Sequence, residues 1–473
     1  MRSRDAIIVA FILVVILAAT ALRLDGPAPG ELARDADNVL KSLLREGLPH
    51  PSGSPANRVV RDRILARFRE LGYAPAIQRA YACGPRSHRC ATVENIVVLP
   101  PVQGDIVLGV AHYDSVPAGP GASDDGAGVA TILECARNLR GGFRNPIGFL
   151  ITDGEELGLV GAQAFVNDQA LSRNVRAVVN VEDRGTSGPS FLFETSRDNR
   201  DLAPLFRDLP RPNTSSLFYT VYELMPNDTD VTVFKRAGKI AVNFAAIGGV
   251  ENYHHASDDL AHVDVRTLEH HCENALPMIR ALASADLRSL RHGNAVFFDV
   301  LGLFLVSWPE QWTIWIALAS FVLLIVLMRS VPARDTLISA LMFLGAIACA
   351  AAIGIVAMVV LPHRLAHPVP AVAAMWTVGV ACAVLLTRNR AWQGRSLVWH
   401  VAAIALALTL PGVSFLFLLP ALAMHVPARP FVAAAVAALL FFPLGLVLYT
   451  ALAALALPAI AVLMAIFGST VTK

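Results

Sequence analysis

Residues 106–139 read IVLGVAHYDSVPAGPGASDDGAGVATILECARNL. An apolar run, Ile106–Ala111, empties into His112, Tyr113, Asp114 and Ser115. A Gly/Pro-rich loop bearing Asp124 and Asp125 follows. Val129, Ile132, Leu133, Ala136 and Leu139 then recur at helical spacing until Gly141-Gly142 ends the pattern. A short buried strand that hands the chain to an amphipathic helix is the repeating unit of a covered, parallel sheet.

Further units of the same kind lie on both sides. Val60, Ile64, Phe68 and Leu71 share one face of a helix over Asn57–Leu71, stopped by Gly72. Ile96–Leu99, Ile147–Thr152, Ala177–Val181 and Ile240–Ala245 are short apolar runs with strand character. The expectation is an α/β domain over residues 30–290, a mostly parallel mixed sheet sandwiched by helices. No internal repeat or low-complexity tract interrupts it.

Ligands of open α/β sheets bind outside the carboxyl ends of the strands, and there the polar residues gather. Ile147–Thr152 runs into Asp153-Gly154-Glu155-Glu156, Ala177–Val181 into Glu182-Asp183, and the last run, after a Gly-Gly loop, into Tyr253-His254-His255-Ala256-Ser257-Asp258. Two histidines and three carboxylates converging on one edge suit a pair of zinc ions with N/O ligands and room for water. One carboxylate can bridge two metals about 3.5–4 Å apart, and a free one beside them can serve as general base. Singly, each piece reads more simply: His-x-Asp as a packing pair, Asp-Asp-Gly as a turn, Glu-Glu as a solvated helix start. Their weight comes from five such elements, each at a strand end or strand–helix loop.

The set HYDS, GASDDGAG, DGEELGLVGA, VNVED and YHHASDD over residues 90–265 resembles the di-zinc aminopeptidase family, which includes glutamate carboxypeptidase and the glutaminyl cyclases. An exterior peptidase domain followed by many apolar segments resembles the membrane-bound, endoplasmic reticulum metallopeptidase branch. The resemblance implies a zinc exopeptidase fold and two Zn²⁺ per chain. His112 and Glu182 would bind one metal, Glu156 and His254 the other, with Asp124 bridging. It further implies Glu155 as general base, Asp114 as the residue orienting His112, and Tyr253 as a stabiliser of the developing oxyanion. Asp258 would do for His254 what Asp114 does for His112, and Asp230 matches a position near the substrate. His255 is a rival to His254, and Asp183 to Glu182.

The chain is 55% hydrophobic and 16% charged, with a mean hydropathy of +0.53. These averages hide a split, since the apolar excess lies after about residue 292. Residues 1–24 form an N-terminal membrane anchor or signal segment, Ala6–Leu22 being apolar behind Arg2 and Arg4. Residues 295–473 are expected to be an all-α polytopic membrane domain with spans near 312–328, 335–361, 369–386, 397–424, 430–447 and 448–467. Arg329 and Arg334, and then Arg388, Arg390 and Arg395, fall in loops that positive-inside placement makes cytoplasmic. The catalytic domain is then exoplasmic, periplasmic in a bacterial inner membrane, and the N-terminus is cytoplasmic. Val296–Trp308 is too short to span and is expected to be interfacial or re-entrant. In an oxidising compartment, Cys83 and Cys90, flanking CGPRSHRC, would form a disulfide. A net charge of +2 without a basic stripe excludes nucleic acid as partner; the partners expected are a peptide substrate and membrane lipid.

The function expected is a zinc-dependent aminopeptidase, a hydrolase that removes N-terminal residues of peptides. A carboxypeptidase or dipeptidase could use the same centre. A glutaminyl cyclase would use one zinc, and a receptor would lack a ligand or the base.

Overall fold

The computed structural model describes residues 26–327 except 88, 102–103, 225–226, 291 and 301, short pieces between 333 and 341, and 392–423. Residue contacts divide the chain into Arg23–Ser307 and a unit of Met1–Leu22 with Trp308–Lys473.

The first unit runs α1 (Glu31–Leu43), α2 (Pro55–Glu70), β1 (Ala76–Cys83), β2 (Cys90–Val98), β3 (Ile106–His112), α3 (Gly126–Asn138), β4 (Ile147–Thr152), α4 (Val160–Asn167) and α5 (Gln169–Ser172). There follow β5 (Val175–Asp183), β6 (Phe191–Thr195), α6 (Ser216–Leu224), α7 (Asp230–Arg236), β7 (Ile240–Ala246), α8 (Val265–Ser284), β8 (Ala295–Val300) and β9 (Phe304–Pro309). Local chemistry fixes the helix starts. The Ser54 hydroxyl accepts the Asn57 N–H at 3.0 Å ahead of Pro55, and the Asp125 carboxylate accepts the Gly128 N–H at 3.0 Å.

The seven-stranded sheet has the order β1-β2-β4-β3-β5-β7-β6. Its centre, β4-β3-β5-β7, is parallel, whereas β1, β2 and β6 pair antiparallel. The sheet is therefore mixed, and parallel only where helices cross over between neighbours. Side chains alternate across it. Val107, Phe149, Ile151, Val179 and Val242 join Ile64, Phe68, Ile132 and Ile279 in one apolar layer. Leu108, Val110, Leu150, Val178 and Ala241 meet Phe165 and Phe234 in the other. With both faces dry, the open place left for polar side chains is the carboxyl edge of the parallel strands.

Cys83 and Cys90 are disulfide-bonded where the connecting loop closes the β1–β2 hairpin. β1 and β6, absent from the sequence reading, lie at the sheet's edges. β1 (AIQRAYAC) mixes polar with apolar residues and is mostly exposed, so it has no continuous apolar run to give it away. Val296–Trp308 is a β-hairpin rather than an interfacial or re-entrant segment. Val296 and Phe297 are buried, the Phe297 ring packs 5.4 Å from Phe206, and the Asp299 carboxylate accepts the Gly302 N–H at 2.7 Å to close the turn.

In the second unit, the described helices are α9 (Trp312–Leu327), α10 (Trp392–Thr409) and α11 (Pro411–Ala423). The segment 397–424, expected as one span, is broken at Pro411, which has no N–H for a continuing helix. Trp399 donates its indole N–H to the Phe417 carbonyl at 2.6 Å, and His400 is buried with Nε2 2.9 Å from Ser320 Oγ. Among the described residues, no helix is long and apolar enough to cross a membrane. Residues 1–24 and the expected spans 369–386, 430–447 and 448–467 lie outside the described residues, as does most of 335–361.

Candidate metal centre

His112 closes β3 opposite Thr152 of β4 and is 1% exposed. Its Nδ1 lies 3.0 Å from the Asp114 carbonyl oxygen. A carbonyl can only accept, so the proton sits on Nδ1 and Nε2 faces the site. Nε2 is 3.2 Å from both Asp124 Oδ1 and Glu182 Oε1. On the far side, His254 Nε2 is 3.1 Å from Asp124 Oδ2 and 3.2 Å from Glu156 Oε1. Asp124 thus stands between two clusters and gives one oxygen to each. The structure brings together His112, Asp124, Glu156, Glu182 and His254 as two such clusters.

Asp125 also approaches His112 and Glu182 closely. Its carboxylate is committed elsewhere, capping α3 and accepting the His112 backbone N–H at 3.0 Å. Asp183, the rival of Glu182, points to the opposite side of β5. It accepts from the Ser123 hydroxyl at 3.1 Å and the Ala246 N–H at 2.7 Å, and lies 3.1 Å from His271 Nε2. His255 is exposed, whereas its neighbour faces the acids. His254 takes a left-handed φ of 58°, uncommon for a residue with a Cβ, and its ring stacks on Tyr253 at 3.8 Å.

The loop carrying Asp124 is held from beneath. Gly121 has φ +61°, and a Cβ there would press on the Asp124 carbonyl and the Ser115 side chain. Asp258 accepts the N–H groups of Ser123 at 2.7 Å and Asp124 at 3.2 Å. It therefore anchors the Asp124 backbone, not the His254 ring as expected from sequence. Asp114 is likewise busier than expected. Its carboxylate is 3.6 Å from His112 Nδ1 and accepts the N–H groups of Glu155 at 3.0 Å and Glu156 at 3.2 Å. Asp230 accepts the Thr152 hydroxyl at 2.5 Å.

Sequence reasoning missed this supporting layer. Asp153 accepts the Glu94 N–H and the Asn57 amide, and Asn95 accepts the Asp153 N–H at 2.9 Å. Asp153 had a signal, its place at a strand end. His271 had none, since it lies inside a long helix 88 residues from its partner.

The electrostatics demand positive charge. Burial pushes the carboxyls of Glu156 and Glu182 up to about 7, and that of Glu155 well above the usual range. Burial acts against protonation of His254, yet the carboxylates of Asp124 and Glu156 beside its Nε2 carry it up to about 10. Asp124 is also pushed up by burial, but its contacts with His112 and His254 prevail and bring it to about 2. Asp124 Oδ2, Glu156 Oε1, Glu182 Oε2 and His254 Nε2 are buried and make no hydrogen bond. Unpaired buried polar atoms converging at such distances are what a pair of cations would satisfy.

Residues 95–279 match Peptidase family M28. The chain is 30% identical over 233 residues to endoplasmic reticulum metallopeptidase 1 of Homo sapiens, an alignment covering 46% of this chain and 26% of that protein. It is 28% identical over 302 residues to the vacuolar membrane protease of Eremothecium gossypii, covering 58% of this chain and 30% of the relative. The chain thus spans less than a third of the length of these curated relatives. Similar solved structures include a zinc aminopeptidase from Bacillus subtilis, at 15% identity and TM-score 0.44 over 56% of this chain and 98% of that one. Glutaminyl cyclase of Porphyromonas gingivalis is another, at 20% identity and TM-score 0.43 over 53% of this chain and 99% of that one.

Proposed function

On the premise that residues 95–279 are a domain of peptidase family M28, we propose that the protein is a di-zinc aminopeptidase held to a membrane. The observation that carries this reading is Asp124, whose two carboxylate oxygens each face a separate His/Glu pair. A one-metal cyclase has no need of a second complete cluster.

In this reading His112, Glu182 and Asp124 would hold one zinc, and Glu156, His254 and Asp124 the second. When bound, the metal pair supplies Lewis-acid polarisation of the scissile carbonyl and acidifies the attacking water toward a pKa near 7. Glu155, raised by burial, has the proton affinity to accept the water's proton and pass it to the leaving amine. Asp114 acts as a positioning residue, because its carboxylate holds the Glu155 and Glu156 N–H groups while its backbone carbonyl accepts the His112 Nδ1 proton. The Tyr253 hydroxyl, which burial keeps protonated, is the donor to the oxygen that gains charge.

Membrane attachment is supported by the names of the relatives, one an endoplasmic reticulum and one a vacuolar membrane protein. It is also supported by the apolar side chains exposed on α9, Trp315, Val322, Val326 and Leu327 among them. The Cys83–Cys90 disulfide fits an oxidising, exoplasmic compartment for the catalytic unit. We assign that compartment to the periplasmic face of a bacterial inner membrane, with the N-terminus in the cytoplasm.

The test is metal content of the purified full chain together with hydrolysis of an aminoacyl-anilide panel. Two zincs per chain with release of the N-terminal residue are expected. One zinc with pyroglutamate as product would replace this reading with the cyclase. Two zincs with no free-amine substrate cleaved would shift it to a carboxypeptidase or dipeptidase.

A further inference from the structure

Around the two clusters the side chains with charge to offer are acidic: Asp114, Asp124, Glu155, Glu156, Glu182 and Asp230. A cation stands at the same edge. Arg184 follows β5 two residues after Glu182, and its backbone N–H donates to the Ala246 carbonyl at 3.0 Å, so its Cα is fixed between two strand ends. Its guanidinium lies 5.1 Å from the centroid of the Tyr253 ring. That ring is in turn stacked at 3.8 Å on His254, whose Nε2 faces Asp124 and Glu156.

Arg184 is only partly buried, and among the described residues no carboxylate lies within 4.0 Å of it. An arginine fork offers five donors matched to a carboxylate. Here the fork is tethered by backbone and ring but its charge is unspent. A guanidinium held over an aromatic ring is tethered by its charge and still carries N–H donors for a second partner.

The geometry points to Arg184 as the anchor for the α-carboxylate of a short peptide, which makes di- and tripeptides with a free C-terminus the preferred substrate class. This rests on the aminopeptidase reading above. The two ring contacts keep the guanidinium within a few residue lengths of His254, and each extended residue spans about 3.3–3.6 Å. A peptide whose first carbonyl sits between the clusters therefore reaches Arg184 with its second or third residue. Longer chains would place an uncharged amide there and lose the charge-assisted pair. The same contact would ask Tyr253 to be in place, so carboxylate binding and the proposed oxyanion donor are linked through one stack.

The experiment compares Xaa-Gly with Xaa-Gly amide, and Xaa-Gly-Gly with its amide, where Xaa is the residue ranked first in the anilide panel. Zinc-loaded full-length protein is used, as wild type, Arg184→Gln and Arg184→Lys. The expected result is a wild-type kcat/KM about tenfold to a hundredfold higher for the free acid than for the amide, carried mainly by KM. That ratio should fall to near one in Arg184→Gln and to an intermediate value in Arg184→Lys, which keeps the charge and loses the fork. Equal rates on acid and amide in the wild type, or a preference that survives in both variants, would overturn the proposal while leaving the aminopeptidase intact. Absence of cleavage of every anilide and peptide would instead remove the reading on which it rests. Circular dichroism and zinc content check that each variant is folded; if Arg184→Gln fails there, the Arg184→Lys ratio decides.

Discussion

The two clusters share Asp124 but are built from different material. His112, Glu182 and the acids beside them stand on consecutive ends of β3, β4 and β5, with hydrogen bonds from neighbouring strands on either side. His254 hangs from a loop between β7 and α8. Its side chain is 38% exposed, its backbone is in the left-handed region, and its ring rests on Tyr253. The first half is positioned by the sheet. The second is positioned by a strained loop whose placement other residues must enforce, which is how backbone strain usually persists at a functional site.

The largest expected effect tests the strand-borne half. Glu155→Gln should lower kcat by roughly 10²–10⁴-fold, the span of general acid–base catalysis. Metal content should stay at the wild-type value, because Glu155 belongs to neither cluster. Loss of metal alongside activity would place Glu155 among the ligands instead.

Next is the contrast itself. His112→Ala removes a fully buried ring and leaves Asp124 and Glu182 facing each other without a partner. Both bound metals should be lost, with destabilisation of about 2–4 kcal/mol, in the range for emptied core positions and uncompensated buried charge. His254→Ala should lose one metal and keep the other, with a melting temperature within a few degrees of wild type. Stoichiometry by elemental analysis and melting by circular dichroism read both. Equal losses from the two variants would mean that sheet and loop hold the metals with equal rigidity.

A smaller effect follows from acidity in the metal-free protein. Glu156 and Glu182, with native carboxyls near 7, bind protons that the unfolded chain has already released. Stability therefore falls as pH rises from the ordinary carboxyl range to about 7. His254, raised to about 10, adds stability that is complete below its unfolded value of 6.5 and is lost as pH climbs toward 10. Asp124, lowered to about 2, acts oppositely, but only below its unfolded value of 3.8. The chelated protein should therefore melt higher at pH 5 than at pH 7. Zinc should reverse that order, since it satisfies the carboxylates in their charged form and competes with protons. A chelated protein that melts higher at pH 7 would contradict the crowding of acids described above.

The same contrast explains how far the site could be read from sequence. Strand ends announce themselves, because an apolar run stops where a His or carboxylate begins, as at Ala111-His112 and Thr152-Asp153. The alternating faces of β5 then separate Glu182 from Asp183, though only the fold shows which face holds the site. The loop gave no such rule. Tyr253-His254-His255 has no periodicity, and the choice of His254 is made by a local φ of 58° and a ring stack, neither of which leaves a mark on residue spacing. Edge strands were missed for a related reason: β1 is mostly exposed, so burial imposed no continuous apolar pattern on it, and β6 is short, with only Phe191, Leu192 and Phe193 apolar. Asp258 was legible as important, yet its target was not. A carboxylate four residues from His254 in sequence spends itself on the backbone of Asp124, 134 residues away.

The smallest effect concerns the brace that ties the edge of the sheet to the ligand loop. The Cys83–Cys90 disulfide closes a short loop in which Ser87 donates to the Leu157 carbonyl at 3.0 Å and Arg86 pairs with Asp228 at 2.8 Å. Leu157 directly follows Glu156, so this loop touches the segment that serves the His254 cluster. Replacing both cysteines by serine should cost about 2–3 kcal/mol from loop-closure entropy in the unfolded chain. That is roughly 3–5 °C of melting temperature for a domain of this size. It should weaken only the more loosely held of the two metals, severalfold at most, seen as a biphasic zinc titration whose tighter phase is unmoved. An equal loosening of both phases would mean that β1 and β2 brace the whole strand edge, and that the two halves of the site differ less in support than their burial implies.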